Sequence, residues 1–150
     1  MGHHISALVA RAPIDLNAAK QLDLPVLPAG EFAIVALDPA HADFWAEKFA
    51  VEDQHFSDMT FDSKVIHEFA NRLGMDRFVL LQTDYFGGVG DQWATVYRGA
   101  QRVMEVTKGG INEALALVGV VREGNSDEFD TIGLGAHRDF SDLFEKYWDS

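Results

Sequence analysis

The segment best equipped to surround a small ligand runs from Asp84 to Gln92 and reads DYFGGVGDQ. Gly87, Gly88 and Gly90 permit backbone angles and close approaches that a β-carbon forbids, and Asp84, Tyr85 and Asp91 would ring whatever lies there. A carboxylate pair such as Asp84 and Asp91 is chemically able to do acid–base work, one acid holding a proton while the other accepts one. The phosphate-binding patterns do not fit. Trp93 stands where a third glycine would, no lysine follows, and the next residues look like a strand where phosphate loops enter a helix. His137 and Arg138, in GLGAHR before a C-terminal helix pattern, add a cationic group to this ligand-loop candidate, but Asp139 and Asp142 already occupy that helix start and would repel a phosphate.

Other catalytic chemistries have little support. His55, Asp58, Asp62 and His67 are near one another in sequence, yet no HxxxH or HExxH pair exists, so no metal and no cofactor is expected. His67 falls with Asn71 on the polar side of a helix pattern, and His41 near the start of another; both read as surface residues. None of the six serines sits in GxSxG and cysteine is absent, which removes thiolate chemistry and disulfides. The balance is against an enzyme.

Charge carries the larger signal. The chain holds 24 acids and 12 bases, a formal net charge of −12. Residues 38–62 contain seven acids and one base, and residues 123–150 contain eight acids and two bases, so each stretch contributes −6 and the rest balances at nine of each. Clustered like charge repels itself, and is kept for solubility or for a cationic partner rather than for folding. Nucleic acid is excluded as a partner on the same ground, since neutralising phosphates needs a basic surface.

These residues must be positioned by the elements around them. Residues 4–10 read as a strand, and a short helix capped by Asp15 follows. Pro25 and Pro28 mark an extended connection. FAIVAL at 32–37 and FVLL at 78–81 are apolar on both faces and should be interior strands, the second leading into the glycine-rich loop. Asp38-Pro39 starts a helix with Phe44, Trp45 and Phe49 as its buried stripe, and Val65, Ile66, Phe69, Ala70 and Leu73 share the face of another that ends at Gly74. Two strands, 93–97 and 102–107, join through Arg98 to Gln101; a helix over Ile111 to Val118 closes at Gly119, a short strand follows at Val120-Val121, and residues 139–147 form a last helix.

The expected fold is α+β, a mixed and mostly antiparallel sheet of five to six strands covered by about five helices in one compact domain over 1–150. No basic leader segment and no apolar run near 20 residues is present, so a cytoplasmic protein outside the membrane is expected. In size and charge the chain resembles, as a type, the small acidic inhibitors that neutralise basic bacterial toxins. That resemblance implies an immunity-type binding module that docks a basic protein through Asp43, Glu47, Asp53, Asp58, Asp127, Glu128 and Asp130 on segments brought to one face. The alternative is a small enzyme or ligand-binding domain using the loop 84–92. A third option is a homodimer joined through surplus aromatics such as Trp45, Trp93 and Trp148.

Overall fold

The computed structural model describes residues 2–3, 5–11, 13–51, 56, 62–86, 89–99, 101–108, 110–121, 124 and 144. The strands are β1 (Gly2–His3), β2 (Ser6–Arg11), β3 (Val26–Ala29), β4 (Phe32–Ala36), β5 (Arg77–Phe86), β6 (Val89–Arg98) and β7 (Gln101–Lys108). The helices among the described residues are α1 (Leu16–Gln21), α2 (Pro39–Phe49), α3 (Lys64–Arg72) and α4 (Ile111–Leu117), four where about five were expected. All strands join one sheet in the order β3-β4-β2-β5-β6-β7, with β1 added beside the far end of β5. Among the described residues every pairing is antiparallel, where a mixed sheet was expected. The fold is α+β, as its sequence pattern implies.

Both doubly apolar runs are interior. β4 lies between β3 and β2, β5 lies between β2 and β6, and all five residues of β4 are buried. Alternation sends successive side chains to opposite faces. Leu8, Val35, Phe78, Leu80 and Tyr97 pack under α1, α2 and α3, whereas Val9, Ile34, Val79, Leu81 and Val96 pack under α4 together with Phe144.

The starts of α1 and α2 follow the capping rule, whereas α3 and α4 begin without a side-chain cap. The carboxylate of Asp15 accepts from the amide of Ala18, and that of Asp38 accepts from the amides of Ala40 and His41 with Pro39 at the first helical position. The stripe expected on α2 is shifted. His41 and Ala42 are its buried residues, Trp45 and Phe49 are half-buried, and Phe44 is exposed.

Three local readings are corrected. Residues 26–29 form an edge strand rather than a bare connection, and Pro28, which has no N–H to give a ladder, is tolerated at such an edge. No strand forms at Val120-Val121. The amide of Val120 instead donates to Leu115 O at 3.0 Å and that of Gly119 to Ala116 O at 3.1 Å, closing α4 with Gly119 at φ +104°. The β5–β6 ladder also runs on past Leu81 and Trp93 to the register pair Phe86 and Val89. Thr83, Tyr85, Phe86 and Val89 are β-branched or aromatic, and that preference outweighs the glycines beside them. The last helix expected at 139–147 falls outside the described residues apart from Phe144, which is buried.

Candidate functional site

The strongest concentration of polar chemistry in the structure is at Asp62, where a buried carboxylate is met from three elements. Tyr97 and Arg102 are cross-strand partners near the β6–β7 turn, and His67 sits one turn into α3 on the same side of the sheet. The Tyr97 hydroxyl lies 2.9 Å from both carboxylate oxygens and donates across them. His67 Nε2 is 2.8 Å from Oδ1, and Arg102 Nη2 donates to Oδ2 at 2.8 Å. Arg102 Nη2 also donates to the Tyr97 oxygen at 2.7 Å and to the carbonyl of Phe56 at 3.0 Å.

Rings enclose the group. His67 meets Tyr97 edge-on at 4.4 Å and Phe56 at 4.9 Å, and Tyr97 stacks on Phe78. Asp62 is 0% exposed in this setting, and such a charge is tolerable only when its oxygens are bonded, as they are. Burial pushes the Tyr97 phenol up to about 12, and the Asp62 carboxylate adds to that while Arg102 opposes it. The sequence hinted at this cluster only through the nearness of Asp62 to His67. For Tyr97 and Arg102 the sequence signal is weaker, no more than their opposed positions in the expected hairpin.

Two acids of the 38–62 stretch thus turn inward, Asp38 as the cap of α2 and Asp62 as the hub of the cluster. Asp43 and Glu47, one turn apart on α2, are exposed. Between them Phe44 is 46% exposed, with the Lys48 ammonium 5.7 Å from its ring. Asp53 and Asp58 lie outside the described residues.

The two histidines expected at the surface are not there. His67 is half-buried against Asp62, and His41 is 1% exposed, its Nε2 donating to the carbonyl of Leu22 at 2.8 Å. The His41 ring touches Phe69 at 5.4 Å and Phe144 at 5.0 Å. Phe144 belongs to the second acidic stretch, and this buried ring contact places that one residue against α2. Asp127, Glu128 and Asp130 lie outside the described residues.

The ligand loop changes character. Asp84, Tyr85, Gly90 and Asp91 belong to the β5–β6 ladder, in which Asp84 is the register partner of Asp91 and Tyr85 of Gly90. Of the loop proper only Gly87 and Gly88 remain between the strands, and they and His137 lie outside the described residues. Among the described residues no group of three histidine, aspartate or glutamate side chains stands ready to hold a metal ion, and no helix is long and apolar enough to cross a membrane. No family model, curated protein or solved structure matches this chain.

Proposed function

We propose that the chain is an acidic protein-binding module of the toxin-neutralising kind, which docks a basic protein partner through segments 38–62 and 123–150. The observation that carries the reading is the sorting of acids along the first segment. Asp38 and Asp62 hold its two ends, while Asp43 and Glu47 stay exposed around the apolar ring of Phe44. Exposed charge around an aromatic anchor is the composition of a binding face, since the charges steer encounter and the ring supplies burial. The Phe144–His41 contact supports the second half of the reading by bringing one residue of the second segment to α2.

The test is a titration of the isotope-labelled full chain with a synthetic arginine- and lysine-rich peptide, followed by amide shifts at 20 and 200 mM salt. Shifts should concentrate on α2 and on residues 123–150, and affinity should fall at least tenfold between the two salts. The double variant Asp43→Lys, Glu47→Lys should lose most of the binding. Reversing Asp127, Glu128 and Asp130 to Lys should slow association and leave the thermal midpoint unchanged or raised, because repulsion is relieved. Shifts spread evenly over the chain, or equal affinity of the double variant, would overturn the proposal.

A further inference from the structure

At the other end of the same hairpin three arginines stand on one rung of the sheet. Arg77 and Arg98 are direct register partners of β5 and β6. The register in which Val9 faces Val79, carried two residues further, sets Arg11 of β2 on the other flank of Arg77. All three share the α4 side of the sheet, since Val9, Val79 and Val96 pack there and each arginine lies two residues beyond one of them. They line one cleft of about 350 Å³ together with Gly74, Met75, Asp76 and Val118.

Like charges directly opposite in a sheet are destabilising, and this chain has twice as many acids as bases with which to compensate them. Compensation is sparse. Arg11 Nη1 is 3.5 Å from Glu31, an exposed pair; Arg77 Nη1 donates at 3.4 Å to Leu117 O at the end of α4; and Arg98 has no ion pair among the described residues. Among the described residues Asp76 is the only acid of the lining.

Arg11 is also held in place. Its guanidinium lies 5.3 Å from the ring of Phe32, and a β-carbon on Gly119 would come within 2.6 Å of its Nη2. The glycine leaves the space that the guanidinium fills. Three guanidinium forks around a cleft of this size, one of them seated over Phe32, match the chemistry of a small, doubly charged oxyanion.

We propose that Arg11, Arg77 and Arg98 form a binding site for a small dianionic ligand, one bearing a phosphate group or two carboxylates. Bound there, the anion neutralises the repulsion along the rung and bridges β2, β5 and β6.

The experiment measures the thermal midpoint and amide shifts of the full chain during titration with inorganic phosphate, with malonate, and with chloride at matched ionic strength. Chloride reports general screening of a chain at −12. Phosphate or malonate should raise the midpoint beyond chloride and shift the amides of Arg11, Arg77, Arg98 and Val118 with saturation. The better of the two identifies the ligand class. Arg98→Gln, chosen because Arg98 has no ion pair among the described residues, should weaken that anion at least tenfold and, without anion, raise the midpoint by about 1–3 °C. Phosphate and malonate both indistinguishable from chloride would overturn the proposal. So would an Arg98→Gln variant that binds the anion as the parent does.

Discussion

Tyr97 and Arg98 are neighbours in sequence, yet they belong to opposite electrostatic regimes. Tyr97 points to the side covered by α3 and joins a cluster in which Asp62, His67 and Arg102 satisfy one another at distances of 2.7–2.9 Å. Arg98 points to the α4 side, where its cross-strand partner Arg77 carries the same sign and no carboxylate answers it among the described residues. The strand and the turn are common to both. What differs is whether another element delivers a countercharge, which α3 and the chain before it do through Asp62 and α4 does not. Alternation in a sheet therefore decides which charges are locked and which stay open to a ligand.

The largest effect expected from this contrast is at Asp62. Asp62→Ala removes the acceptor shared by Tyr97, His67 and Arg102 and leaves a half-buried guanidinium without its carboxylate. Breaking such a pair costs about 3–5 kcal/mol, and urea unfolding should show the loss without a large change of slope. A loss below about 1 kcal/mol would mean that the cluster is a surface feature, and the contrast with the arginine rung would collapse.

Next in size is the pH response of the same cluster. The Tyr97 phenol is raised from 10.0 to about 12, so between those values the unfolded chain releases a proton that the folded chain keeps. The contribution of this group is fully present below pH 10 and is lost as pH rises toward 12. A spectroscopic titration of the three tyrosines should show one ionising about two units later than a free phenol, and Tyr97→Phe should abolish that late step at about 1–2 kcal/mol in stability. If the late step persists in the variant, the raised phenol is another tyrosine.

Gly119 probes the opposite region. Its φ of +104° makes Gly119→Ala strained, and the 2.6 Å approach of Arg11 Nη2 means that the flexible end of Arg11 must shift to admit the β-carbon. A stability loss of about 1–2 kcal/mol is expected, because a β-carbon is disfavoured at that angle. Arg11 should also move off Phe32, which amide shifts at both residues would report. An unmoved Arg11 would remove the claim that the glycine makes room for it.

The sequence is a good guide to the frame and a poor one to the polar interior. FAIVAL and FVLL announce interior strands because only burial on both faces explains runs without a polar residue, and Asp15 and Asp38 announce helix starts because capping is local. Asp62 is different. It stands 35 residues from Tyr97 and 40 from Arg102, and nothing within its own sequence neighbourhood distinguishes it from the other acids of its stretch. His41 misleads for a related reason: its position early in a helix suggests solvent, but its place against Phe69 and the Leu22 carbonyl depends on how α2 crosses α1 and α3. The arginine rung needs a register, since three bases 66 and 21 residues apart become neighbours only once β2, β5 and β6 are aligned.

The smallest effect separates the two regions by sign. Arg98→Glu turns the like pair with Arg77 into an opposite pair on an exposed rung, so the thermal midpoint should rise by about 1–3 °C. Arg102→Glu, four residues along the same hairpin, sets a second carboxylate against Asp62 and should destabilise the chain by several times that amount. The two variants change net charge identically, from −12 to −14, so general repulsion cannot explain opposite outcomes. Only the local partner can: a carboxylate in one case, a guanidinium in the other. If both variants lower the midpoint equally, total charge governs the stability of this chain, and the distinction between a locked cluster and an open rung has no energetic content.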